Sequence, residues 1–320
     1  MNREINTRQE KRYITIKAKP LVSIITLNWN QTEATRHFLE STRKLAYPHY
    51  EILVCDMGSA IDPGPQIYKG NYANTRLLRA DNNMKAEGAA NWAVAQAKGD
   101  FILFMNNHTE VTEHLIEDLL TPLVEDTTVG AACPKIYSYK NRNVIEYAGS
   151  TSLNPLTGRT YIIGSRQKDN GQYNKQVYTN GVYSGAMMMR KSMIEKAGVL
   201  PRNFFVYFDD AEISARILKS GYKILYQPGA IVYSKHSATT KRATATEVFY
   251  NTRNRIMAMR NNSTTAGFSV FLLFFTLFLA PFNIVKYTVT GKSGHLKAFF
   301  KAITWHLKKR KSSLRFYANL

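Results

Sequence analysis

Cysteine is almost absent from this chain, and acidic residues are in short supply. The two thiols, Cys55 in "EILVCD" and Cys133 in "GAACPK", sit in apolar runs, without CxxC spacing or a third cysteine nearby. That excludes a disulfide framework and points to two buried thiols in a reducing compartment. Against 43 Lys and Arg stand only 23 Asp and Glu, a net charge of +20 over 320 residues. Such a chain is expected to meet anionic partners: nucleic acid, an acidic membrane surface or phosphorylated substrates. No RNA- or DNA-binding module appears, and the basic residues cluster at the two ends, so nucleic acid is set aside. Internal repeats are also lacking. The opening "MNREINTRQEKRYITIKAKP" is basic and polar with no apolar core, and reads as a short arm (1–19) rather than a secretory signal.

What is present is a globular composition, 44% hydrophobic, long enough to bury a large core. "LVSIITLNWN" (21–30) is an apolar β-rich run ending on polar residues, as a buried parallel strand does. A helical stretch follows, with Phe38, Leu39, Thr42 and Leu45 on one face and Pro48 as its stop. "YEILVCDMGS", "NTRLLRADNN" and "DFILFMNNH" repeat the strand pattern, with "GAANWAVAQAKG" as a helix before the last. Alternation of this kind predicts an α/β sheet with mostly parallel strands. Ligands in such sheets bind outside the carboxyl ends of the strands. Thr26–Asn30, Asp56–Ser59 and Asn106–His108 therefore fall on one edge.

"HLIEDLLTPLVED" (114–126) and "AEISARILKSG" predict further helices, while residues 136–180 lack a long period and read as strands with an irregular excursion. Past residue 266 the character changes. "GFSVFLLFFTLFLAPFNIVKY" is nearly uncharged over about a membrane span's length, interrupted by Pro281 and Asn283. "LKAFFKAITWHLKKRKSSLRF" follows as a basic amphipathic stretch, suited to the headgroup region of an anionic bilayer. The competing reading is a helical hairpin packed on the domain. The expected organisation is thus an arm (1–19), a catalytic domain (20–262) and a membrane-associating segment (263–320).

"FFVYFDDAE" supplies Asp209, Asp210 and Glu212 after an aromatic run. Three carboxylates there suit helix capping and dipole compensation as well as general-base work. They lie too close together to flank a glycosidic bond from opposite sides, which argues against a two-carboxylate glycosidase.

Over roughly residues 20–260 the order of segments resembles the family 2 glycosyltransferases of the GT-A fold, particularly the rhamnosyltransferase-like branch of bacterial surface polysaccharide synthesis. The resemblance is carried by "VSIITLNWN", "EILVCDMGSA", "DNNMKAEGAANWAVAQAKGDFILFMNNHTEV", "IIGSRQKDNGQYN", "YSGAMMMRKSMIEKAGVLPRNFFVYFDDAEISARILKSGYKILYQPGAIVY" and "FYNTRNRI", in that order. It implies a mixed, mostly parallel sheet flanked by helices. It also implies transfer of a sugar, rhamnose or a hexose, from a UDP or dTDP donor to a glycan or lipid-linked acceptor, with inversion. The setting implied is the cytoplasmic face of the cell membrane. Asp210 matches the family's catalytic base, with Asp209, Glu212 and Gly185 on the acceptor side. Asp56 matches the residue that binds the nucleotide base, an Asp-x-Gly turn without ligand being the competing reading. Thr26, Asn28, Ser59, Lys85, Gly88, Asn106, Asn107 and Arg253 fall in the nucleotide-sugar segments.

The sequence departs from the family at the metal motif. His108 stands where an aspartate usually binds Mn²⁺ or Mg²⁺, and His236 lies near the place of a second metal histidine, out of register. Hard divalent ions prefer oxygen, and imidazole suits Zn²⁺ and Fe²⁺ better than Mn²⁺. The alternative is that Lys85, Lys235, Lys241, Arg242 or Arg253 neutralises the diphosphate. The lost carboxylate also motivates a second expectation: a nucleotide-sugar- or glycan-binding homologue without turnover.

Overall fold

The computed structural model describes residues 19–80, 86–198, 208–235 and 244–317. Two compact units divide the chain: Met1–Ser150, Ile162–Arg202 and Ile213–Ala238 make the first, and Thr151–Tyr161, Asn203–Glu212 and Thr239–Leu320 the second.

The first unit is built on one sheet. β1 (Val22–Asn28), β2 (Tyr50–Asp56), β3 (Thr75–Arg79) and β4 (Phe101–Met105) alternate with α1 (Thr32–Thr42), α2 (Gly64–Lys69) and α3 (Ala86–Gln96). β5 (Thr109–Val111), α4 (Leu115–Glu125), β6 (Val129–Ser138), β7 (Ile145–Tyr147), β8 (Val177–Thr179), β9 (Ala186–Arg190), α5 (Lys191–Ala197), α6 (Asp209–Lys219) and β10 (Lys223–Ser234) follow. The strand order is β3-β2-β1-β4-β9-β6-β10-β5, with β7 on β6 and β8 on β10. β1 to β4 run parallel, β9 runs against both β4 and β6, and β10 lies parallel to β6.

The apolar runs form these strands because both sheet faces are covered. Ile52, Leu53, Val54 and Cys55 of β2 are fully buried, as are Ile102 and Leu103 of β4. Both thiols are buried and neither is in a disulfide among the described residues, and burial pushes that of Cys55 up to about 12. Phe38, Leu39 and Thr42 are the buried face of α1, and Leu45 packs against the same core just past its end. β1 sits between β2 and β4, with Asn28 opposite Asp56 and Ile25 opposite Phe104. The ends of the three strands therefore stand side by side.

The second unit is helical. α7 (Ala245–Asn262) opens with a capping box, Thr244 accepting from the Glu247 N–H while the Glu247 side chain accepts from Thr244 N–H. α8 (Thr265–Phe274), a π-helical turn (Phe275–Leu279) and α9 (Ala280–Val289) follow as one continuous rod, and α10 (Ser293–Tyr317) runs after it. The π turn directly precedes Pro281, which has no N–H to give to the preceding turn, so the ladder widens there. Val248, Ile256, Met259, Phe271, Phe275 and Phe299 form this unit's own core.

Candidate active site

At the carboxyl edge of the first unit, polar side chains link the strand ends. Asn107 Nδ2 donates to Thr35 Oγ1 at 3.1 Å, which donates to Asn28 Oδ1 at 2.8 Å. Asn28 Nδ2 donates in turn to Asp56 Oδ1 at 2.7 Å and to Ser59 Oγ at 3.2 Å. Ser59 gives Asp56 its hydroxyl, at 2.5 Å, and its backbone N–H, at 3.1 Å, across a turn in which Gly58 takes φ +81°. Arg79 closes the set, with Nε 3.6 Å from Asp56 Oδ2. Asp56 is fully buried, with three hydrogen bonds and the Arg79 guanidinium around its two oxygens. Its carboxylate ties β1, β2 and β3 together. Thr26 is likewise fully buried, and its hydroxyl has no hydrogen-bond partner among the described residues.

Asn106 and His108 are half-buried at the end of β4. The Asn106 N–H donates to the Gly185 carbonyl at 2.9 Å. A Cβ on Gly185 would stand 2.4 Å from Asn106 Nδ2, so any other residue there would push the Asn106 amide aside. The His108 carbonyl accepts from the Lys235 N–H at 2.8 Å, and the Lys235 ammonium lies 5.0 Å from the centre of the Tyr139 ring. Gly88 is exposed in the first turn of α3. Lys85, His236, Lys241 and Arg242 lie outside the described residues.

Among the described residues no three His, Cys, Asp or Glu side chains gather to hold a metal ion. Asn107 gives Thr35 its amide N–H and keeps Oδ1 as an oxygen donor, so the Asn-Asn-His segment offers amide oxygens and an imidazole but no carboxylate for a hard divalent cation.

In the second unit, a cavity of about 410 Å³ is lined by Asp210, Phe208, Arg159, Asn251, Thr252, Arg255, Asn283, Tyr287 and Phe299, among others. α6 begins at Asp209, so Asp209 and Asp210 lie inside its first turn rather than at the cap, where their charge still complements the helix dipole. Phe208, just before them, holds φ +65°, a conformation few aromatic residues adopt. Glu212 is buried and accepts from Asn262 Nδ2 at 2.7 Å and Asn261 Nδ2 at 3.4 Å, which fastens the first turn of α6, the part of that helix within the second unit, to the end of α7. Arg253 turns to α10. Its guanidinium stacks on Tyr250 and Trp305, and His306 Nε2 lies 2.9 Å from its carbonyl. Arg255, two residues on, lines the cavity instead. Residues two apart on a helix point about 200° away from each other, so only one of the two can face a given site.

A mixed sheet with this strand order and polar strand ends is the architecture of the GT-A glycosyltransferases. The chain belongs to glycosyl transferase family 2, whose family model matches residues 23–198, more than half of its length. It is 23% identical over 238 residues to the O-antigen biosynthesis protein RfbC of Myxococcus xanthus, covering 72% of this chain and 18% of that protein. It is 23% identical over 225 residues to the O-antigen chain rhamnosyltransferase WbaN of Salmonella anatum, covering 70% and 66%. The chain thus spans less than a fifth of the first relative and about two thirds of the second. Among solved structures, that of GalNAc-T7 with UDP, GalNAc and Mn²⁺ superposes with a TM-score of 0.60 at 14% identity, over 75% of this chain and 48% of that one.

Proposed function

We propose that the chain is an inverting glycosyltransferase that moves a sugar from a UDP or dTDP donor to a glycan or lipid-linked acceptor in cell-surface polysaccharide synthesis, at the cytoplasmic face of the membrane. The observation that carries the reading is Asp210: a half-buried carboxylate in the first turn of α6, on the wall of a 410 Å³ cavity, at the family's base position. The volume is that of a small-ligand site. In the proposed step the acceptor hydroxyl gives its proton to Asp210 as its oxygen bonds to the anomeric carbon. The bond from that carbon to the diphosphate oxygen breaks, and the nucleoside diphosphate leaves with the electron pair. Asn28, Asp56, Ser59, Asn106 and Asn107 form the donor edge, with Asp56 acting through the network it organises. The donor set at His108 supports cations of the chain, Lys235 first, as the groups that meet the diphosphate. The names of RfbC and WbaN support the O-antigen setting.

The test is release of UDP or dTDP from a panel of nucleotide sugars, using a lipid extract as acceptor, with and without EDTA. The expected result is turnover that survives EDTA and falls by about 10²–10⁴-fold in Asp210→Asn, the usual worth of a general base. Turnover abolished by EDTA would restore a metal role to the His108 segment. Wild-type turnover in Asp210→Asn would remove Asp210 as base. Nucleotide binding without turnover for any donor and acceptor would favour the binding homologue, the reading that the Asn-Asn-His donors also support.

A further inference from the structure

One side chain in the second unit has no structural explanation. Arg255 is only 8% exposed, and its Nε has no hydrogen-bond partner among the described residues. A buried guanidinium is ordinarily matched by a carboxylate, because an unpaired charge is costly to take out of water. Its charged neighbour here is a second cation, Arg159. Burial first, and then the Arg159 charge, bring the Arg255 guanidinium down to about 10, so at neutral pH it is still charged. The backbone brings them to one place deliberately. The turn Asn154–Arg159, closed by Asn154 N–H to the Arg159 carbonyl at 2.9 Å, approaches α7 through Gly158. That glycine has φ +62°, and a Cβ on it would meet Met259 at 2.8 Å and Arg255 at 3.1 Å.

Both arginines line the cavity that also holds Asp210. Two guanidiniums against one carboxylate leave the cavity short of negative charge. Asn251, Asn283 and Tyr287 add neutral polar groups to its lining. Asn283 and Tyr287 come from the rod Thr265–Val289, whose Leu273, Leu277, Phe278, Phe282, Val285 and Val289 are exposed. A ligand in this cavity therefore meets two arginines together with neutral polar groups carried on an apolar, exposed helix.

We propose that the Arg159–Arg255 cavity is a phosphate-recognition subsite for the acceptor, holding the phosphate or diphosphate that joins the acceptor sugar to a lipid. The proposal rests on the glycosyltransferase reading and narrows its acceptor to a phosphate-linked lipid. Guanidinium forks match phosphate oxygens in pairs, and a bound phosphate supplies the anion that Arg255 lacks. Asp210 on the same wall leaves the sugar's hydroxyl within the reach of a base, while the apolar helix carries the lipid side. Holding the phosphate fixes the sugar's orientation, so the subsite sets which hydroxyl is presented.

The test uses the full chain in neutral detergent with saturating UDP, so that the donor edge is occupied. Binding of farnesyl diphosphate, farnesol and inorganic diphosphate is measured by calorimetry. The expected result is that farnesyl diphosphate binds at least tenfold more tightly than farnesol, and that Arg255→Met and Arg159→Gln each weaken it tenfold or more. Arg255→Lys should lose less. Arg159 is exposed, so Arg159→Gln keeps the test decisive if the buried substitution unfolds the protein. Undiminished binding in Arg159→Gln and in folded Arg255→Met would overturn the proposal, as would farnesol binding as tightly as its diphosphate. Competition by phosphatidylglycerol vesicles at equal phosphate would assign the arginines to bilayer headgroups and overturn the acceptor role. Asp210→Asn separates the two levels. With one negative charge fewer in the cavity it should bind farnesyl diphosphate at least as tightly as the unsubstituted chain; if it also turns over normally, the base assignment fails while the phosphate subsite stands.

Discussion

A carboxylate that accepts three hydrogen bonds, faces a guanidinium and sees no solvent behaves differently from one waiting for a ligand. Asp56 belongs to the first kind. Asp56→Asn keeps the shape but turns one acceptor oxygen into a donor facing Asn28, Ser59 or Arg79. Leaving such buried groups mispaired costs about 1–3 kcal/mol each. We expect a loss of roughly 2–4 kcal/mol in chemical denaturation, well beyond a plain loss of nucleotide affinity. Unchanged stability with a raised KM for the donor would show instead that the residue reads the base directly. The "DMGS" spacing carried both readings. A sequence shows that a carboxylate ends a strand, but not whether it turns out to the ligand edge or back beneath its own turn.

At the scale of elements, alternation made the sheet legible: four apolar runs with polar ends became β1 to β4, and their ends meet as the parallel topology requires. The excursion after β6 was not legible, because its order comes from distant side chains rather than from a period. Lys135 in β6, 1% exposed, donates to Asp169 Oδ2 at 2.8 Å and Asn174 Oδ1 at 2.6 Å, and so ties down the Gly-Asp loop of residues 162–174. Partial burial by itself would raise the Asp169 carboxyl. Hydrogen bonds from Lys135, Tyr137 and the Gly171 N–H, with the Lys135 charge, outweigh it and bring the group down to about 2. A carboxyl lowered in the folded state stabilises at pH values above its unfolded pKa of about 4, and that contribution is lost as pH falls towards 2. Limited proteolysis should therefore find the loop protected at pH 5 and progressively cut below pH 4 by an acid-active protease. Lys135→Met should expose it at neutral pH and cost about 3 kcal/mol, the lower end for breaking a buried pair. Equal cutting of wild type and variant at neutral pH would mean that other contacts anchor the loop.

The whole molecule combines an excess of positive charge with an uncovered apolar rod. The net charge is +20, and the rod runs 25 residues from Thr265 to Val289 with little of it buried. The sequence already carried both features, since neither depends on a contact between distant residues. The competing hairpin reading is met only in part: Phe271 and Phe275 do pack against Phe299, but the opposite side, from Val270 to Val289, stays open. We propose an anionic bilayer as the occupant of an apolar surface of this length on a chain so basic, and the two features would act differently on it. Charge draws the chain to the surface and weakens with salt, because its reach is about a Debye length. The apolar side, once inserted, is indifferent to salt. Sedimentation with phosphatidylglycerol vesicles should thus show strong binding at low salt that declines at 0.5 M without vanishing, and little binding to neutral phosphatidylcholine vesicles at protein concentrations where the anionic ones saturate. Phe278→Asp together with Phe282→Asp, both exposed, should leave the fold intact and remove the salt-resistant fraction. Binding that salt abolishes completely would reduce the rod to a packing element and leave charge as the only membrane contact. Retention of the salt-resistant fraction in the double variant would move the insertion to α10, where Phe300 and Leu307 are also exposed.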